Sequence, residues 1–298
     1  MKTVPRNKVI YSFSFRHKPA EHVKIGEPIL IETEDAFGGQ IKTEEDSLDE
    51  LDWAEANGTT GPLFVENAKS GDTLVTEILD IKVENQGAIV TIPKNGILGK
   101  RRFAASTKIV KICNGYIHFD RGVRLRANPM IGTIGVAPES GDIPTGSLGK
   151  HGGNMDVKEL TADTRLYLPV LVEGALFAAG DVHAAQADGE LCVSSVEVAS
   201  EVLLKFSLIR GKRPTWPVLE TRDWYALLAC GENLDEAATF ATEAAVEALM
   251  RQYRWPFEKA YMFGSLAVNL KINQVVDPKK GVRAVISKDL ITLDSLLI

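Results

Sequence analysis

The stretch "TRLYLPVLVEGALFAAGDVHAAQADGE", residues 164–190, constrains the fold of this chain more than any other segment. Its "LYLPVLV" portion is almost unbroken apolar, the pattern of a strand buried on both faces. The run from Leu166 to Gly180 is too short to span a bilayer and contains Pro169 and Glu173. It then runs directly into four ionisable side chains, Asp181, His183, Asp188 and Glu190. Either these form a solvated surface turn, or the buried strand delivers them to a site.

The neighbouring sequence reads mainly as β up to residue 210. "EPILIETED" (27–35), "TLVTEILDIKVEN" (73–85) and "GAIVTIPKN" (87–95) are short, β-branched and bounded by Gly, Pro, Asn or Asp. "TLVTEILDIKV" alternates imperfectly, as a strand with one wet face does. Strands at this density predict a mainly β fold, with a β-sandwich or jelly-roll-like core. Two long segments, 34–64 and 139–156, are rich in acidic residues or glycine and read as functional loops.

The C-terminal third changes character and adds a helical α/β portion. Asn233 with Glu236 forms a capping-box signature ahead of "LDEAATFATEAAVEALMRQY". Ala238, Ala241, Ala245, Leu249 and Tyr253 would share its apolar face, opposite Glu236, Glu243, Glu247 and Arg251. Pro256 starts a second helix, Phe257 to about Leu270, and "RAVISKDLI" (283–291) closes as a strand. The 298 residues are read as a single domain, β-rich over 1–210 and helix-containing over 211–298.

With 34 Lys and Arg against 40 Asp and Glu, the formal charge is −6 and no basic block appears. That argues against nucleic acid as a partner. "MKTVPRNKVIYSFSF" lacks the apolar centre of a secretory signal, and Cys113, Cys192 and Cys230 show no CxxC spacing. A cytoplasmic protein without a membrane partner is expected.

On an extended strand Asp181 and His183 share a face, and Asp188 and Glu190 have the same spacing beyond a short turn. An imidazole among carboxylates suits zinc, whereas carboxylates alone suit calcium or magnesium. In "KHGGNMD" (150–156), His151 precedes a glycine pair whose amides could receive an anion or a carbonyl oxygen, unless the segment is an ordinary loop. Asp35 ends a strand before "AFGGQ", where a carboxylate could reach a cleft or stay solvated. His17 and His22 are further possible ligands, and His118 reads as structural.

Taken together, "ETEDAFGGQI", "NGTTGPLFVENAKSGDTLVTEILDIKV", "PMIGTIGVAPESGDIPTGSLGKHGGNMD", "LYLPVLVEGALFAAGDVHAAQADGEL" and "LAVNLKINQVVDP" resemble the acetamidase/formamidase family, in order along most of the chain. The chain departs from the family at Val182 and Ala187, where glycine is usual. The resemblance implies hydrolysis of small aliphatic amides, formamide or acetamide, to carboxylate and ammonia. It also implies a β-sandwich-like core and a homo-oligomer, expected as a dimer. Its motifs carry over onto Asp35, Gly152, Gly153, Asn154, Asp156, Asp181, His183, Asp188 and Glu190, and more weakly onto Glu197.

No G-x-S-x-G elbow supplies a nucleophile, so a metal-activated water is expected. The expected metal ligands are Asp35, Asp181, His183 and Glu197, with zinc preferred to calcium. The expected catalytic set is Glu190, as proton shuttle, with Asp188 and Asn154, and the substrate-binding set is Gly152, Gly153 and His151. Two other readings stand beside this one: a metal-dependent hydrolase or lyase on another small carbonyl compound, and a non-catalytic sandwich module holding calcium.

Overall fold

Neighbouring residues of the strand Thr164–Pro169 enter different cores. Leu166 and Leu168 join a cluster of 32 buried residues, whereas Tyr167 points the other way into a cluster of 19. Hence the run is continuously apolar: this strand is covered on both faces. The same alternation recurs in the strand Trp224–Gly231, with Ala226, Leu228 and Cys230 on one side and Tyr225, Leu227 and Ala229 on the other.

The computed structural model describes residues 1–298 and resolves the three layers that this alternation requires. The central layer is a nine-stranded sheet with spatial order Lys2–Val4, Pro28–Thr33, Ser200–Ile209, Thr73–Val83, Thr164–Pro169, Val218–Glu220, Trp224–Gly231, Lys280–Ser287 and Val268–Ile272. A second sheet packs on one face; its middle strands are Met130–Gly135, Phe177–His183 and Thr59–Val65. Phe177 of this sheet meets Phe206 of the first edge to face at 4.9 Å. The opposite face of the nine-stranded sheet is covered by helix α1, Leu234–Tyr253, which packs against α2, Phe257–Ala267. A four-stranded sheet, built from Gln86–Thr91, Ser106–Cys113, Tyr116–Asp120 and Val123–Arg126, packs on Ala184, Val196 and Val198 and bridges to Glu197 through Ala88.

The fold is therefore mainly β with a C-terminal helical part, as the strand density and the capping box imply. Asn233 caps α1 by accepting a hydrogen bond from the Glu236 amide at 2.9 Å. The nine-stranded sheet draws strands from both sides of residue 210, so the helical part is built onto the β part. No helix is long and apolar enough to cross a membrane.

Three local expectations need correction. The buried stripe of α1 is rotated and wider, comprising Ala237, Ala241, Ala244, Ala245, Val246, Ala248 and Leu249, because the helix touches both the sheet and α2. Helix α2 ends at Ala267; Val268–Ile272 pairs instead as the edge strand beside Lys280–Ser287. Within the segment 34–64, residues Thr59–Val65 form a buried strand.

Candidate active site

The site grows from the end of the strand Phe177–His183, all of whose residues are buried. Asp181 and His183 both face the site, with the His183 Nε2 atom 3.2 Å from Asp181 Oδ1, although the Asp181 backbone is left-handed rather than extended. Glu197 bridges to His183 through the backbone, which brings its Oε2 within 2.9 Å of the same nitrogen. The other ring nitrogen, Nδ1, is 2.9 Å from Gln186 Oε1, while the Gln186 amide donates to the Asp156 carbonyl oxygen at 2.8 Å. That fixed amide orients the ring: Gln186 accepts the Nδ1 proton and leaves Nε2 facing the two carboxylates.

Asp156, Glu190 and Asp277 complete the cluster. Asp156 is 1% exposed, and neither of its carboxylate oxygens has a hydrogen-bond partner. Glu190 accepts from Ser195 Oγ at 3.0 Å, and Asp277 accepts from the Asn154 amide at 3.0 Å. Thr133 Oγ1 lies 2.9 Å from Asn154 Oδ1 and 3.1 Å from Asp181 Oδ2, tying the strands together. Asp156, Asp181 and Glu190 all hold left-handed backbone conformations, with φ of 48°, 54° and 45°. Such conformations cost energy for residues other than glycine and persist where the surroundings over-determine them.

These groups line one cavity of about 180 Å³, whose walls include Asn154, Asp156, Asp181, His183, Glu190, Glu197 and Asp277. Phe37, Trp53, Val90, Ile92 and Val193 supply apolar walls, and no lysine, arginine, serine or cysteine lines it. Burial pushes the Asp156, Glu190, Glu197 and Asp277 carboxyls above their ordinary range. Burial alone would lower the His183 pKa, but Glu197 and Asp181 outweigh it and hold the imidazole well above its usual value. Burial opposes ionisation of Asp181 too, yet His183 and the surrounding hydrogen bonds keep that carboxyl low. The set is therefore short of positive charge.

Two triads converge tightly enough to hold a metal ion: Asp181, His183 and Glu197, and Asp156, His183 and Glu190. The Gln186 contact distinguishes them. With Nδ1 occupied by Gln186, the ring offers Nε2, which belongs to the Asp181–Glu197 side.

Other residues read from the sequence lie elsewhere. Asp35 accepts from the Phe37 and Gly39 amides at 2.8 and 3.1 Å; burial raises its pKa to about 6, and it stands behind the wall as neighbour to Glu197. Asp188 turns away from the cavity and binds Arg283 at 2.7 Å and Lys158 at 3.0 Å. Gly189 (φ 100°) and Glu190 (φ 45°) break the extended geometry that would have kept Asp188 and Glu190 on one face. Gly152 and Gly153 form a buried strand paired with Ile134–Gly135 on one side and Leu148–Gly149 on the other, so they are no open turn. His151 packs edge to face on Phe13 at 5.1 Å, outside the cavity. Sequence reading missed Gln186, Ser195, Thr133 and Asp277; only the side-chain chemistry of "HAAQ" and "VVDP" offered a signal.

Two sheets packed face to face, with a buried acid cluster that could hold a cation, define a β-sandwich-like protein with a candidate metal site. The chain belongs to the acetamidase/formamidase family, whose profile matches residues 16–147 and 142–290. The crystal structure of a predicted acetamidase/formamidase from Thermoanaerobacter tengcongensis superposes with a TM-score of 0.95 at 40% identity, covering 99% of this chain and 97% of that one. An acetamidase from Bacillus halodurans gives 0.93 at 38% identity, covering 96% of this chain and 97% of that one. A formamidase of Methylophilus methylotrophus is 26% identical over 284 residues, 72% of this chain and 70% of that protein. The chain spans 62% to 70% of the length of the curated relatives it matches.

Proposed function

We propose that this protein hydrolyses small aliphatic amides, of the formamide and acetamide class, to the carboxylate and ammonia. One observation carries the reading: an imidazole and five carboxylates converge on a small, partly apolar cavity whose lining offers no serine or cysteine nucleophile. The reaction then needs water as nucleophile, a polarised carbonyl and a proton for the departing nitrogen.

The donor chemistry fits a divalent cation. Asp181, His183 Nε2 and Glu197 would hold it, and the imidazole nitrogen favours zinc over calcium. Such a cation would polarise the carbonyl oxygen and lower the pKa of water. To hold it, His183 would be unprotonated at Nε2, with the Nδ1 proton kept on the ring and donated to Gln186 Oε1.

The remaining steps fall to this chain's own residues. Glu190, on the cavity wall with its pKa raised by burial, takes a proton from the attacking water. It returns that proton to the amide nitrogen as the C–N bond breaks, releasing ammonia and leaving the new C–O bond in the acid. The Asn154 side chain, locked between Thr133 and Asp277, orients the amide. Phe37, Val90, Ile92 and Val193 line the space for a short acyl chain. The proposal extends to a cytoplasmic homodimer, in keeping with the acidic charge balance and with the family. Asp188, His151, Gly152 and Gly153 act as supports of the site in this reading.

Ammonia release measured over formamide, acetamide and longer amides, before and after chelation, tests the proposal. Activity should vanish on chelation and in His183→Ala, which should also lose the metal by elemental analysis. An H183A protein with full metal content and turnover would refute the assignment.

A further inference from the structure

Arg283 is the largest fully buried side chain of the protein and lies outside the cavity. Its guanidinium donates to the Ile272 carbonyl and Asn273 Oδ1, both at 2.9 Å, to Glu159 at 3.1 Å and to Asp188 at 2.7 Å. Asp188 also meets Lys158 at 3.0 Å. An arginine sealed from water persists because its charge is paired and both terminal guanidinium nitrogens are engaged, although Nε has no partner.

The partners of Arg283 are the roots of two cavity loops. Asp188 immediately precedes Gly189 and Glu190, and Asn273 opens the segment that reaches Asp277. Those loops are laced together by backbone: the Gly189 amide donates to the Asn273 carbonyl at 2.8 Å, and the Val275 amide donates to the Gly189 carbonyl at 3.2 Å. Downstream of this lacing the Glu190 backbone is held left-handed, at φ 45°. A free loop would relax from that conformation, and the carboxylate would leave the Ser195 contact that aims it into the cavity.

We propose that Arg283 and Asp188 form a clamp behind the cavity that positions Glu190 and the Asp277 loop. They are positioning residues, acting through Glu190 without touching substrate. This inference rests on the amidase reading for its kinetic consequence, but the clamp has a readout of its own.

The test compares Asp188→Asn, Arg283→Met and Arg283→Lys in the full-length protein. Asp188 is partly exposed and Glu159 still faces Arg283 without it, so D188N is the variant least disposed to misfold. In D188N, kcat should fall about tenfold or more while KM stays within about twofold, as expected when a proton-transfer group is misplaced with substrate binding intact. R283K should recover part of what R283M loses. Independently of activity, amide hydrogen exchange at Gly189 and Val275 should accelerate in D188N and R283M. Folded D188N and R283M proteins with wild-type kcat and wild-type exchange at these amides would overturn the clamp. If the wild-type protein turned over no amide, the proposed function would fail, and exchange alone would still decide the clamp.

Discussion

His151 shows how one buried ring can set the acid limit of the protein. Burial, with Lys279 adding to it, drops its pKa to about 4, against an ordinary value of 6.5. Between those values the unfolded chain binds the proton and the folded chain does not. Stability therefore rises with pH across that window and is lost as pH falls through it, by about 3 kcal/mol in total. Asp35 works in the opposite sense: its pKa is raised from 3.8 to about 6, so the folded form binds the extra proton and stability declines as pH rises through that range. Urea unfolding should show His151→Leu losing, relative to wild type, about 3 kcal/mol of the stability gained between pH 4 and pH 7, which leaves the opposing decline from Asp35 and the cavity acids exposed. An unchanged dependence would show that His151 is not the group responsible.

At the scale of elements, α1 is held by small residues. Ala237, Ala241, Ala244, Ala245 and Ala248 let its backbone approach the sheet and α2 closely. Ala245→Leu should cost about 1–3 kcal/mol by overpacking, whereas the same change at half-buried Ala238 should cost less. Equal losses in chemical denaturation would contradict the observed rotation of the helix face. This element was largely legible in sequence, since its cap and its apolar stripe are local. So was the two-sided strand at 164–169, because each residue's layer follows from its neighbours. Asp181 and His183 were legible as ionisable residues at the end of a buried apolar run, although the left-handed Asp181 backbone was not. Glu190 was legible as a site residue, but its pairing with Asp188 on one face was not, because that alternation presumes an extended backbone and Gly189 turns it. Asp277 was beyond local pattern altogether, since it joins Asn154 only through the fold. Gln186 reads as an ordinary polar residue until the fold places it on the His183 ring.

For the whole molecule, the acid cluster is a standing electrostatic load. The raised pKa values of Asp156, Glu190, Glu197 and Asp277 mean that the metal-free fold holds protons the unfolded chain would release. Its stability should therefore decline as pH rises above the ordinary carboxylate range. A divalent cation at neutral pH should relieve this load. At a hundredfold excess over Kd it stabilises by about 2.7 kcal/mol, which in a chain of this size raises Tm by roughly 4 °C. Calorimetry with and without zinc and calcium checks this, and equal Tm values with and without either ion would exclude a cation site.

The nine-stranded sheet takes strands from both sides of residue 210, and this bears on how the gene could be divided. A fragment ending there would encode Asp156, Asp181, His183, Glu190 and Glu197 but lack Asp277 and Arg283. It would carry most of the reactive groups without the pieces that hold two of the loops in place. Deletion mapping would thus assign activity to the C-terminal third, although most of the chemistry lies upstream. Recovery of activity on mixing the two fragments would be the signature of a site assembled by the sheet.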